Sequence, residues 1–568
     1  MKKLGALHSQ QRFYRLLGLP ALVLLTLLFV VPLTFTLSRA FSGDESLYFG
    51  EAFITLFRQP YTWTIIRFSL LQAFVSTIVS LLIAFPGAYL LANYRFRGKG
   101  FVKAICTLPF VLPSILVVLG FVIFYGNSGI LNTLLMDLFT LDTPPLQILY
   151  SFKAIILAHA FYNFPIALSL ISTRWENLSP SYEGAALTLG SNRWEAFRRI
   201  TLPNLMSSVL SASSLIFLFC FSSFAILLVL GGGPQFSNIE VEIYRRAKLS
   251  GDMTTASALA LISIVITLAL VLLHLLFQRR GSYEQESQLF EQVNSSYKKH
   301  SLVSSLLIAL YVIISFGFVL GPLGAIIWRS FTSSITRGGA TQLSLKWYKE
   351  LLGLNSSGTA FISTALSSVI YSFIIALISA SIATVLGLML SARLARKSDT
   401  DSLAVELYAM LPMAVSSVVV GLGYYLVGRV VGTTFSMRLL LVLLAHVVIA
   451  SPFVIRSILP DYRSMSKTYM QAALTLGSTV RQSFLLVELP LLRSSIITGF
   501  AFAFAISMGE MNATLILSES NIVTIPVIMY RLIGSYNYSG ACALGTLLIG
   551  VSVALFGLSE ASKRRRYE

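Results

Sequence analysis

Ala185-Ala186-Leu187-Thr188-Leu189-Gly190 recurs letter for letter as Ala472-Ala473-Leu474-Thr475-Leu476-Gly477. Each copy is followed, thirteen residues after its Gly, by the Pro of a Leu-Pro pair, Leu202-Pro203 and Leu489-Pro490. Each lies in a polar, Arg-containing stretch flanked by long apolar runs. A repeated helix-forming loop between apolar runs reads as a docking element rather than a membrane span. It divides the chain into two related halves, each presenting the same handle on the same side of a membrane.

Composition supports the membrane. The chain has 568 residues, of which 55% are hydrophobic and 12% charged, with a mean hydropathy of +0.78. A soluble domain of this size needs more charge to cover its surface. Apolar runs of about 18 residues or more, enough to cross the hydrocarbon core, recur along the sequence. Backbone groups in lipid must be satisfied within the segment, so these runs are expected as helices. The net charge of +18 is gathered in particular loops, which favours a membrane protein over a nucleic-acid binder. Cys106, Cys220 and Cys542 lie in or beside apolar runs without metal-ligand spacing and read as buried thiols.

The expected spans of the first half are 17–39, 64–93, 101–125, 150–173, 207–230 and 254–277. Those of the second are 302–328, 362–392, 402–427, 438–459, 492–517 and 538–558. The fold class is therefore all-α integral membrane, with about twelve spans in two parallel six-helix repeats. Residues 1–277 form the first half, 278–301 a polar cytoplasmic linker and 302–568 the second half. The first span follows an extended basic region and is too long for a signal core, so it reads as retained.

Offsets support the repeat. The offset of 287 between Gly190 and Gly477 also carries Ala158-His159 onto Ala445-His446 and Pro165 onto Pro452. An offset of 303 carries Leu108-Pro109 and Gly120 onto Leu411-Pro412 and Gly423. The difference fits a shorter external loop in the second half, where 126–149 has a reduced counterpart.

Loop charge orients the chain, because positive loops stay inside. Lys2, Lys3, Arg12, Arg15, Arg95, Arg97, Lys99, Arg193, Arg198, Arg199, Arg279 and Arg280 fall inside, as do Arg393, Arg396, Lys397 and Lys563 to Arg566. Asp44, Glu45, Glu51, Asp137 and Asp142 fall outside. Arg245, Arg246, Lys248, Arg329, Arg337, Lys346 and Lys349 run against the rule. Both termini are expected in the cytoplasm.

The repeated loop has a local physical logic. Ser179, or Ser466 in the second copy, can cap a helix, and Pro180 suits its first position. Glu183 lies near the positive helix end, where an acid is favourable. The alanines offer a small, close-packing face, and the Gly suits a C-terminal turn. A second short helix is expected over about Arg193 to Ile200. An ordinary amphipathic surface helix is the plain alternative, but two copies at identical spacing argue against it.

Glu183-Gly184-Ala185-Ala186-Leu187-Thr188-Leu189-Gly190, with Phe197, Ile200, Leu202 and Pro203, resembles the coupling-helix signature of ABC importer permeases. Gln471, Ala472, Ala473, Gly477, Phe484, Leu489 and Pro490 supply the second copy. The family's acidic position, six residues before the Gly, holds Gly184 and Gln471 here, with Glu183 one place earlier. The resemblance spans essentially the whole chain and implies a type I importer permease with both halves fused. The stretch Ser223 to Gly233-Pro234 and Ile239-Glu240 resembles fused permeases of the ferric iron and thiamine group.

The resemblance also implies partners. They are two copies of an ABC ATPase subunit and a periplasmic or lipid-anchored substrate-binding protein. The setting is the lipid of a bacterial inner membrane, with no nucleic acid. No G-x-x-x-x-G-K-[ST] phosphate loop occurs, so no cofactor is expected in this chain, no enzyme activity of its own, and ATP on the partner subunits. The implied mechanism is alternating access, with substrate ferric iron or thiamine. The rival is a secondary transporter with two six-helix halves, driven by an ion gradient. It predicts intramembrane acids in several helices and no repeated docking loop.

Glu510 and Asn512 lie in the apolar run Ile506-Ser507-Met508-Gly509-Glu510-Met511-Asn512. Such groups at membrane depth usually face a cavity or a partner. Either they line the substrate pathway, or neighbouring hydroxyls and backbone satisfy the carboxylate. His159 and His446, at repeat-equivalent places, read as packing residues.

Overall fold

The structure is a computed structural model. It describes residues 2–42, 51–178, 180–286, 301–334, 341–352, 361–396, 400–432, 434–518 and 523–564. Ser179, Asp44, Glu45, Arg337, Lys397, Arg565, Arg566 and linker residues 287–300 lie outside these ranges.

Among the described residues, ten helices are long and apolar enough to cross a membrane, or up to twelve if each of two bent pairs is one span. The expected class therefore holds. Among the described residues the β-structure is one antiparallel pair, Thr332–Ser334 with Thr341–Leu343. All three cysteines are buried and free.

Several expected spans are broken, and the breaks repeat. The run 101–125 divides into Lys99–Val111 and Ser114–Tyr125. The residue before a proline avoids the helical region, and Leu112, before Pro113, is extended. The second-half run divides at the offset of 303 into Thr400–Ala414 and Ser417–Val431, bent by 89°. There Ser416 is the cap, its hydroxyl accepting from Val419 N at 3.3 Å. The run 207–230 divides into Leu202–Phe221 and Ala225–Leu230. The run 492–517 divides into Arg493–Gly509 and Asn512–Leu517. The loop expected over 126–149 contains a further helix, Ile130–Phe139. The helix Met253–Glu286 runs on into residues read as linker, because Tyr283-Glu284-Gln285-Glu286 is compatible with helix.

The helices form two compact units. One holds Met1–Thr55, Ile243–Leu261 and Ser330–Glu568, and the other Leu56–Glu242 and Ile262–Arg329. The opening helix of each sequence half thus belongs to the unit built mainly from the other half. Neither unit coincides with residues 1–277 or 302–568.

Repeat-related glycines seat these opening helices. A Cβ on Gly120 would lie 3.0 Å from Pro322 Cβ, and one on Gly423 would lie 2.6 Å from the Pro32 carbonyl oxygen. The backbone approach at Gly423 admits only glycine, and at Gly120 a Cβ would crowd Pro322. Tyr424 extends the second contact by donating to the Leu28 carbonyl at 2.7 Å.

Candidate docking elements and a polar break at membrane depth

Each repeated loop folds into two short helices and a wide turn. The first copy forms Pro180–Thr188 and Arg193–Ala196, then a π-turn over Phe197–Thr201 that runs into Leu202–Phe221. The second forms Lys467–Thr475, Val480–Ser483 and a π-turn over Phe484–Glu488 that leads to Leu489-Pro490.

The first helix of each copy ends identically. Ser191 N donates to Ala186 O at 3.0 Å and Gly190 N to Leu187 O at 3.1 Å. Ser478 N donates to Ala473 O at 3.1 Å and Gly477 N to Leu474 O at 3.1 Å. This crossed pair is the Schellman arrangement, which needs a left-handed residue at the Gly position. Both glycines have φ of +91°.

The caps differ in chemistry but not in place. Ser466 accepts from Thr468 N at 3.2 Å, as its sequence position suggests. Asn192 accepts from Glu195 N at 2.8 Å and opens the second helix of copy one. Thr479 and Gln482 form a reciprocal capping box in copy two.

The π-turns follow from the Leu-Pro pairs. A proline has no N–H and crowds the carbonyl four residues earlier, so the turn before it widens. Leu202 donates to Phe197 O and Leu489 to Phe484 O, each five residues back.

These elements expose apolar side chains. Leu189 and Leu476, just before the glycines, are 87% and 89% exposed, and Trp194 and Leu486 are also exposed. Ala185, Ala472 and Gln471 are exposed, whereas Ala186 is buried and Ala473 half-buried. The small-residue face is therefore turned partly inward within each element. Glu183 is half-buried in the first turn of its helix. Leu202 and Leu489 are half-buried, and Pro203 and Pro490 exposed.

Glu510 sits in the break between Arg493–Gly509 and Asn512–Leu517 and is 9% exposed. Its Oε1 accepts from Ala513 N at 3.0 Å and so caps the following short helix. Asn512 Nδ2 donates to Ser417 Oγ at 2.8 Å, joining this break to the one at 415–416. Ser417 was not singled out from sequence, although Ser114 precedes it at the repeat offset of 303.

His446 braces the same break. Its Nδ1 lies 2.7 Å from Ser507 Oγ and its Nε2 2.8 Å from Thr514 Oγ1, one partner on each side. His159 Nδ1 lies 3.0 Å from Ser76 Oγ. The offset of 287 places Cys220 and Leu227 where the second half has Ser507 and Thr514, so the first brace lacks those hydroxyls. Both rings are buried and act in packing. No group of three or more His, Cys, Asp or Glu able to hold a metal ion occurs among the described residues.

Comparison with known proteins agrees with this architecture. Residues 84–283 match the family described as binding-protein-dependent transport system inner membrane component. The thiamine transport system permease protein ThiP of Brucella abortus is 29% identical over 511 residues, covering 89% of each chain. ThiP of Escherichia coli is 27% identical, covering 90% of this chain and 91% of the relative. The ferric transport system permease protein FbpB of Actinobacillus pleuropneumoniae is 25% identical, covering 95% and 77%. Residues 84–283 thus match the inner membrane component of binding-protein-dependent transport systems, and the chain as a whole is similar to fused two-domain permeases of ABC importers.

Proposed function

We propose that this permease imports thiamine, driven by two separate ABC ATPase subunits docked on the elements at 180–203 and 467–490. The twin glycine-terminated helices carry the reading. Each presents an exposed leucine, Leu189 or Leu476, at a left-handed turn with nothing within 4 Å of a built Cβ. An apolar side chain held out on a rigid turn suits insertion into a partner's groove. ATP is bound and hydrolysed on the partners, and this chain makes and breaks no covalent bond. A periplasmic or lipid-anchored binding protein delivers the substrate to the external side of the inner membrane, and both termini are cytoplasmic.

Thiamine is favoured because the thiamine permeases match nearly end to end, covering 89% to 91% of their own length in the two cases above. Glu510 and Asn512 line the path of the substrate at the break of the eleventh span. The mechanism is alternating access, in which ATPase closure biases one of two permease conformations. Uptake of labelled thiamine by cells expressing the permease with its ATPase and binding protein tests the substrate. Accumulation abolished by loss of the permease is expected. Accumulation of ferric iron but not of thiamine would overturn the thiamine assignment.

A further inference from the structure

The two docking elements share a backbone but are held by different chemistry. Behind the first is an aromatic stack. Trp175 stacks on Phe197 at 6.0 Å between centroids, and Phe85 and Tyr89 pack on Trp175 at 5.5 and 5.4 Å. Trp194 stacks on the same Phe197 at 5.6 Å.

Behind the second is a buried charge. The offset of 287 puts Glu488 where the first half has Thr201, and Tyr462 where it has Trp175. Glu488 closes the second π-turn and is 1% exposed. Its Oε2 accepts from Tyr14 Oη at 2.7 Å and also from Tyr462 Oη. Its Oε1 is paired with Arg396 Nη2, whose side chain is buried too. The guanidinium lies 5.9 Å from the Tyr14 ring centroid and 5.6 Å from that of Tyr462. Tyr14 also reaches the first helix of the element, its hydroxyl 3.4 Å from Met470 Sδ, and the start of the π-turn, its ring 6.3 Å from that of Phe484.

We infer that Tyr14, Arg396, Tyr462 and Glu488 form a latch that positions the second docking element alone and ties it to the N-terminal helix. A carboxylate this buried is tolerated only when fully paired, and removing one partner of such a pair is costly. The π-turn that carries Glu488 leads directly into Leu489-Pro490 and the Arg493–Gly509 helix. A movement of the N-terminal helix therefore reaches the second element through Tyr14. The first element is held differently: beside its aromatic stack the buried Arg174 donates from Nε to the Asn204 carbonyl at 3.4 Å. These four are positioning residues and are not themselves in the docked surface.

The inference rests on the docking role proposed above, and one experiment separates the two. Leu189→Cys and Leu476→Cys are each cross-linked to the ATPase in the purified complex, with and without Tyr14→Phe or Glu488→Gln. A latch on the second element predicts that Tyr14→Phe lowers the yield at 476 about fivefold and Glu488→Gln more, with the yield at 189 unchanged. A merely structural role would lower both yields together, and that result overturns the latch, as would no change at either position. If Glu488→Gln fails to assemble, the single lost hydroxyl of Tyr14→Phe decides. No adduct at either position in the otherwise unsubstituted chain would overturn the docking role, and the latch with it.

Discussion

Gly190 and Gly477 hold the same left-handed conformation and have open space around a built Cβ. An alanine at either would meet only backbone strain, about 1 kcal/mol. A β-branched side chain is strained further at this φ, so loss of uptake with abundance retained, rather than loss of the chain, is what points to a docked partner. Gly190→Val and Gly477→Val are expected to abolish uptake while leaving the chain in the membrane, read as transport against immunodetected permease. Normal transport by both would remove the docking role. At Glu510, glutamine keeps the acceptor that caps Ala513 but loses the charge. Glu510→Gln is expected to lower uptake per inserted molecule with abundance retained, and lower abundance with unchanged uptake per molecule would leave it a cap only. The glycine turn, the Ser466 cap and the suspicious acid were legible because each depends on neighbours close in sequence. The partners of Glu488 were not, since Tyr14 lies 474 positions away and no local pattern joins them.

Among elements, the spans were legible from apolar length, and their breaks were not. The run 492–517 is mostly apolar, and although Glu510 and Asn512 stand out in it, a polar residue does not by itself mark Glu510-Met511 as the place where the helix stops. Only the prolines at 109, 113 and 412 hinted at interruption in the neighbouring runs. What holds the eleventh-span break is the His446 bridge, whose two hydroxyl partners lie on the helices either side of it, Ser507 on Arg493–Gly509 and Thr514 on Asn512–Leu517. His446→Leu would leave buried hydroxyls of Ser507 and Thr514 without that ring. The expected loss is about 1–3 kcal/mol, seen as a lower melting temperature of the detergent-purified chain. His159→Leu, with one ring contact to Ser76, is expected to cost less. Equal losses would mean that ring volume, not hydrogen bonding, sets the stability of the break.

Over the whole molecule, the repeat was visible as constant offsets, whereas the membership of each compact unit was not. Offsets describe which residues correspond and not which ones touch. Gly120 against Pro322 and Gly423 against Pro32 show each opening helix seated on the other half's residues, a pairing that periodicity cannot encode. Orientation is open to a direct check, because the three native cysteines are buried and contribute little background. Gly190→Cys should resist a membrane-impermeant thiol reagent in intact cells and react after permeabilisation, and labelling in intact cells would invert the topology. The central claim is that this chain is an importer permease powered from outside itself. Its most direct test is thiamine uptake into proteoliposomes containing the purified permease, with its binding protein supplied. Uptake is expected only when the ATPase subunits and ATP are present on the docking side, and no ion gradient should replace them. Uptake by the permease alone, driven by a proton or sodium gradient, would contradict the account and identify a secondary transporter.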